Sequence, residues 1–542
     1  MPTHEVQNQV PPLVGHNLFT SDRALVEALQ REDAAWAQDQ AHKLGEILGS
    51  EEVIQWGFDA NNNPPVLHTH DARGERIDEV RFHPSWHALM RLSVSFGLHS
   101  LPWAQPRPGA HVARAALFFM VAQNEGGHEC PISMTYAGVP ALRRQSDLAR
   151  DWEPRIISNA YDPRFLPAGQ KSGVLIGMAM TEKQGGSDVR ANTSRAVASG
   201  QGGPGAEYRL TGHKWFCSAP MCDVFLVLAQ APGGLSCFLL PRWTPDGVRN
   251  RFFLQRLKNK LGNRSNASSE VEFDNAFAIL IGDEGRGVRT IVEMVNHTRL
   301  DCAVGSAGSM RQAVAQATHH TRHRAAFGRL LADQPLMKNV LADLCIESEA
   351  ATVLAMRLAR AYDRQDDGEA RFRRIATAVA KYWVCKRTAW HVCEALECLG
   401  GNGFVEDSIM PRLYRESPLS SIWEGSGNVI CLDVLRAISN EPGTMDALLA
   451  EIDLGQDGDR RLAGYVQKVH AEWRSLASDP RQARRLVERL ALALQGSLLV
   501  RFSPPPVADA FCASRLGADW GQAFGTLPSG VDFEQIIERS RP

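Results

Sequence analysis

The sequence predicts a mainly helical protein with one central antiparallel β domain. Two observations carry that expectation. Apolar residues recur at helical spacing on both sides of the chain's middle, and between them the pattern changes to short β-branched and aromatic runs punctuated by Gly and Pro turns. The length, 542 residues, exceeds one ordinary domain and sets an expectation of several units with interior enough for a buried cofactor.

Residues 1–172 read as a helical N-terminal domain. SDRALVEALQREDAAWAQDQAHKLGEIL follows a Ser21 or Asp22 cap, and NNNPP and LPWAQPRPG break the periodicity. Residues 173–282 read as the β domain, with VLIGMAM, EYRLTGHKWFCS, DVFLVLAQ, LSCFLLP and VEFDNAFAIL as strands and GQGGPGAE (200–207) as an exposed hairpin tip. Residues 283–438 read as a helical bundle. Its longest helix is expected from about Val288 to His323, and helical spacing resumes at QPLMKNVLADLCIESEAATVLAMRLARAYDR. Residues 439–542 read as a helical extension broken at SPPPV.

Composition excludes several classes. With 22% charged residues and no uninterrupted apolar stretch of about 18, the sequence offers no membrane span. The opening MPTHEVQNQVPPL lacks the layout of a secretory or transit signal, so the expected location is cytoplasmic. Eleven cysteines, with no C-x-x-C pair and an odd count, suit reduced thiols better than a disulfide framework. A net charge of −2 gives no whole-chain signal for nucleic acid, so such a partner has to be read locally.

Four strings carry chemistry. Met180-Thr181-Glu182-Lys183-Gln184-Gly185-Gly186-Ser187-Asp188 leaves a strand through paired glycines, which admit close backbone approach, beside the hydroxyls of Thr181 and Ser187. That composition suits a flavin edge and pyrophosphate; taken alone it is equally an ordinary turn. Gly212-His213-Lys214-Trp215-Phe216-Cys217-Ser218 sets aromatics beside Ser218, for a flavin face or for an aromatic core. Glu397-Cys398-Leu399-Gly400-Gly401-Asn402-Gly403-Phe404 ends a helix on three glycines, as a helix cap or a close approach of backbone. In Ser421-Ile422-Trp423-Glu424-Gly425-Ser426-Gly427-Asn428, Glu424 stands between a large aromatic and a glycine, as a carboxylate held against an apolar face would, or as a surface-loop glutamate would.

In this order the strings, with LGNRS (261–265) and RHRAAFG (322–328), resemble the acyl-CoA dehydrogenase family across roughly residues 80 to 436. The resemblance implies the acyl-CoA dehydrogenase fold and a FAD cofactor contacted by Met180, Thr181, Gly186, Ser187, Phe216, Ser218, Trp423, Gly425, Ser426 and Asn428. It implies that Arg324 reaches the FAD of a neighbouring subunit in a homotetramer. It also implies α,β-dehydrogenation of an acyl-CoA with Glu424 as the base that removes the α proton.

Departures from the plain enzyme are visible. Glu397 stands where glutamine is usual, Trp423 where tyrosine is common, and about 100 residues follow Arg436. With RFHPSWH and LGNRSNAS, these resemble the AidB branch, associated with the adaptive response to DNA alkylation, and imply weak dehydrogenase activity and binding of double-stranded DNA. Residues 460–501 hold nine basic and three acidic side chains, and Arg481, Arg484, Arg485 and Arg489 fall on one side of a helix opposite Leu486, Leu490 and Leu494. Arg481, Arg485, Arg489 and Arg436 are therefore candidate DNA contacts, against an ordinary solvated helix face. His319, His320 and His323 lack an acidic partner in their turn and are not read as a metal site.

Overall fold

The first helix starts where the sequence places its cap. Asp22 Oδ1 accepts from Leu25 N (3.0 Å), satisfying one of the N–H groups that a helix leaves unpaired at its start. The computed structural model describes residues 3–542 except 518 and 520. Packing divides the chain into two units: Met1–Ile54, Arg107–Asn124 and Arg299–Pro542 form one, and Gln55–Pro106 and Glu125–Thr298 the other.

The first unit is helical. Helix Ala110–Ala122 is buried at every position, as its all-round apolar sequence AHVARAALFFMVA requires. Its single cation, Arg114, is paired inside with Asp301 (Nη2–Oδ2 2.9 Å). The long helices Pro335–Asp363 and Asp367–Cys398 follow, the second capped by Asp366, which accepts from Glu369 N at 2.9 Å.

The chain beyond residue 438 is built into this unit. Helix Ala483–Phe502 buries Leu486, Leu490 and Leu494. Arg357 bridges Glu451 (2.7 Å) and Glu369 (2.9 Å), Arg501 also reaches Glu451 (2.7 Å), and Arg539 reaches Glu349 (2.9 Å). Arg515 joins Asp343 and Glu347.

In the second unit, the segment expected to be helical also contains a hairpin, β1 (Val66–His70) with β2 (Arg76–Arg81), directly after the NNNPP break. The main sheet comprises β3 (Ile176–Ala179), β4 (Arg195–Ala198), β5 (Glu207–Ser218), β6 (Val224–Ala231), β7 (Gly234–Pro241), β8 (Phe252–Leu257) and β9 (Ser268–Ile281). Residues 200–207 lie in the turn between antiparallel β4 and β5. The expected strands are present, but the sheet is not purely antiparallel, because β3 and β4 both pair parallel with β6. The hairpin β4–β5 reverses direction before β6 begins, so β6 runs the same way as β4.

Among the described residues, no helix is long and apolar enough to cross a membrane. All eleven cysteines are free thiols, and all but Cys393 are buried.

Candidate functional site

The loop 180–188 leaves the end of β3 and is tied down by one buried charge pair. Glu182 and Lys214 are both fully buried, with Lys214 Nζ 2.8 Å from Glu182 Oε1. Glu182 Oε2 also accepts from Thr193 N (2.6 Å) and Oγ1 (3.0 Å), and Oε1 from Ser194 N (3.2 Å). Lys214 Nζ completes its shell on Leu228 O (2.7 Å) and Met180 O (3.4 Å). Burial pushes the Glu182 carboxyl up, but the Lys214 ammonium and the surrounding donors outweigh it and hold the group at about 2.

This pair explains two of the motifs. The glutamate of TEKQGGSD and the lysine of GHKWFCS weld the loop to strand β5, a role not foreseen from sequence. With the loop fixed there, Gly186 and Ser187 face outward, and Met180 and Thr181 are half-buried. A Cβ on Gly186 would come to 2.4 Å from Thr181 Oγ1, so this turn admits only glycine without rearrangement. Phe216, on β5, is 49% exposed, and Lys258 Nζ sits 4.4 Å from its ring centre and 3.7 Å from that of Trp215. Ser218 ends the strand, paired with Ser268 on β9.

A second buried network lies in the same unit. Ser93 Oγ meets His128 Nε2 (2.9 Å), His128 Nδ1 meets Glu125 Oε2 (2.9 Å), and Ser265 Oγ donates to Glu125 Oε1 (2.7 Å). The serine of LGNRS is thereby assigned a structural task. Next to it, Asn266 is 2% exposed and neither its Oδ1 nor its Nδ2 has a hydrogen-bond partner. Such an amide is costly unless another molecule satisfies it, and it lies two residues before the register partner of Ser218.

In the helical unit, Trp423, Glu424 and Gly425 form the turn that leads into helix Gly427–Asn440. Glu424 has φ +56° and Gly425 φ +105°, so the candidate base sits in a left-handed conformation uncommon for glutamate. Trp423 Nε1 is buried without a hydrogen-bond partner. Asn428 Oδ1 accepts from Arg484 Nε at 2.8 Å, which brings the extension onto the start of this helix. Glu424 also lies close enough to the buried Cys302 thiol to help push it up, after burial itself and Cys385.

Arg324 donates through Nη1 to the carbonyl of Asn8, at the base of the hairpin Ala325–Ala326 with Arg329–Leu330, whose tip presents a 99% exposed Phe327. His319 Nε2 is engaged by Pro11 O (2.8 Å). Of the four arginines read as DNA contacts, Arg481 and Arg485 are exposed and Arg436 is exposed beside Asp433 (3.6 Å). Arg481 pairs with Asp479 (3.0 Å) and Arg489, half-buried, with Glu472, so two members of the stripe already have a carboxylate partner. The spacing that put Arg489 with the others says nothing of a neighbouring helix.

Acid stability should report the lowered carboxyls, among them the buried Glu182 and Glu347. Glu347, buried between Arg387 and Arg515, is held at about 2 by those guanidiniums against the effect of burial. Both glutamates have folded values below their ordinary one. Their contribution is therefore complete above the unfolded value, about 4.5, and is lost as pH falls through about 2. Urea midpoints at pH 6, 4 and 2 are expected to drop steeply across the lower interval, and to drop less in Glu347→Leu with Arg515→Met.

The fold and its two loops define the acyl-CoA dehydrogenase class of protein: helical segments before and after a β domain in the chain, a Gly-Gly-Ser-Asp loop leaving a strand, and a glutamate in a turn before a helix. Family profiles agree. That of the adaptive response protein AidB N-terminal domain matches residues 8–163, the acyl-CoA dehydrogenase middle domain 177–276, and the acyl-CoA dehydrogenase C-terminal domain 285–439. The chain is 48% identical to AidB of Escherichia coli (strain K12) over 523 residues, 96% of this chain and 95% of that one. It belongs to the acyl-CoA dehydrogenase family, in its AidB branch.

Among solved structures, Caenorhabditis elegans ACDH-11 in complex with C11-CoA superposes with a TM-score of 0.84 at 28% identity, covering 100% of this chain and 93% of that one. A Bacillus anthracis acyl-CoA dehydrogenase complexed with FAD shares the fold, with a TM-score of 0.65 at 17% identity over 92% of this chain and 86% of that one.

Proposed function

We propose that this chain is a FAD flavoprotein of the alkylation response that binds double-stranded DNA without reading its sequence and retains weak acyl-CoA dehydrogenase activity. The observation that carries the chemical part is the turn at 423–425, where a glutamate is held in a strained conformation beside a buried, unsatisfied indole N–H. Strain of this kind persists where function uses it.

The residues fit the cofactor. Gly186 and Ser187 leave backbone and hydroxyl donors outward, the half-exposed ring of Phe216 offers an apolar face, and Ser218 and the unpartnered amide of Asn266 offer polar atoms. Met180 and Thr181 belong to the same loop and are proposed with them as FAD contacts; Arg324, Trp423, Gly425, Ser426 and Asn428 are proposed FAD contacts on the family resemblance alone. FAD, when bound, supplies a hydride acceptor. Glu424 takes the α proton of the thioester on its carboxylate, and Trp423 narrows the space for an acyl chain. We further propose a homotetramer, with Arg324 and the exposed Phe327 reaching a neighbouring copy.

The extension, 439–542, is the proposed DNA-binding region, together with Arg436. Its exposed arginines support an electrostatic contact with phosphates, and no sequence-reading module accompanies them. The double variant Arg481→Ala, Arg485→Ala should weaken duplex binding and lower the slope of log affinity against log salt by about two, roughly one for each lost phosphate contact. Arg489→Ala should do less, since that side chain is half-buried against Glu472, whereas Arg481, although paired with Asp479, is exposed. A titration of fluorescent duplex DNA at several salt concentrations, run beside an acyl-CoA turnover screen, tests the whole reading. Fast turnover of one acyl-CoA with no DNA retention at low salt would replace it with a metabolic dehydrogenase.

A further inference from the structure

Three consecutive backbone carbonyls surround the candidate base, and a buried lysine and a half-buried arginine capture all of them. Lys381 Nζ donates to Trp423 O (2.8 Å) and to Gly425 O (2.5 Å), and Arg299 Nε donates to Glu424 O (3.0 Å). In the left-handed turn these oxygens lie outside any helix or sheet ladder, so without such donors they would turn elsewhere and take the glutamate with them.

We propose that Lys381 and Arg299 are the positioning residues that fix Glu424 for proton abstraction, an inference that rests on the reading of Glu424 as the base. Lys381 is 1% exposed on helix Asp367–Cys398, and an ammonium placed so deep is expensive unless its position is needed. Trp423 O lies in the peptide plane that enters Glu424 and Glu424 O in the one that leaves it, so Lys381 and Arg299 together fix both planes that orient the side chain, and Lys381 holds the following plane through Gly425 O. Arg299 is itself oriented: its Nη1 lies 2.7 Å from Asp433 Oδ2, and Asp433 Oδ1 is held in turn by Arg374 Nη2 at 3.1 Å. The clamp therefore comes from two helices and grips the turn from its backbone. Placement of a base to a fraction of an ångström is what such a support provides.

The test uses the flavin-loaded protein and compares Lys381→Met, Lys381→Arg and Arg299→Gln with the parent. Hydrogen–deuterium exchange of residues 421–428 is followed together with kcat and KM for acyl-CoA turnover. Lys381→Met should accelerate exchange in that segment alone and lower kcat by about 100-fold with KM unchanged, and Lys381→Arg, which keeps charge and donors, should restore most of both. Arg299→Gln carries the same test where Lys381→Met fails to fold. Parental exchange at 421–428 in both Lys381→Met and Arg299→Gln, or a loss confined to KM, would overturn the proposal. Glu424→Gln with parental turnover would remove the base itself, a separate failure that leaves the exchange measurement to judge the clamp.

Discussion

Glu424→Gln should reduce acyl-CoA-dependent bleaching of the flavin absorbance by about a thousandfold, the usual scale for loss of a positioned general base. The change is close to isosteric, and the turn is held through main-chain carbonyls by Lys381 and Arg299, so the glutamine inherits the same conformation. Flavin content, melting temperature and DNA affinity should all remain at the parental level. Stopped-flow reduction under anaerobic conditions, with each acyl-CoA of a chain-length series, makes the comparison. Equal reduction by parent and variant would take the base role from Glu424, and no reduction of either would leave any flavin here to structure alone.

The second large effect belongs to the Glu182 and Lys214 pair. Lys214→Met strands a fully buried carboxylate, and Glu182→Gln leaves Lys214 without its counter-charge and turns one of the two acceptor oxygens into an NH2 that faces donors. Breaking a buried pair from one side costs about 3–5 kcal/mol, because the surviving charge has been taken out of water. Replacing both partners, as Glu182→Leu with Lys214→Met, should cost less than either single change, although the Thr193 and Ser194 donors still lose their acceptor. Chemical denaturation of the three variants decides this. A double variant worse than both singles would mean that the pair attracts more than its desolvation costs. Since loop 180–188 hangs on this pair, the single variants should also release FAD more readily, measured as flavin fluorescence in the filtrate.

Much of the fold was legible because it depends on local pattern. The strand EYRLTGHKWFCS runs over Glu207–Ser218 as read, and the helix expected from about Val288 to His323 spans Gly287–His323. Asp22 announced the first helix, and the SDRALV stretch then breaks at a 3₁₀ turn, Ala35–Ala37, that its periodicity did not reveal. The hairpin β1–β2 escaped because its strands, VLHTH and RIDEVR, are mostly polar and half-exposed, so the alternation that marks a strand is weak. Parallel pairing of β3 with β6 escaped because strand direction depends on what intervenes, which local spacing does not encode.

At the site, the motifs named the places but not the supports. Glu424, Gly186 and Phe216 stood out by residue type. Lys381, Arg299, Asn266 and the Glu125–His128–Ser265 network carry no signature, since a lysine within a helix or an asparagine in a loop looks like any other until its neighbours are known. The exception was available in principle: a lysine in a β strand otherwise built of aromatics and small residues, as Lys214 is in GHKWFCS, asks for a buried partner.

The sequence by itself therefore determined the kind of protein: helical spacing and strand alternation are set by short-range geometry, and the ordered motifs place the chain in its family. Only the tertiary structure decided which charges are spent. It matched Arg489 to Glu472, buried Lys381 against the carbonyls flanking Glu424 and closed Lys214 onto Glu182. The physical reason is that a charge acts through whatever lies within a few ångströms of it, and residues that far apart in the chain become neighbours only when it folds.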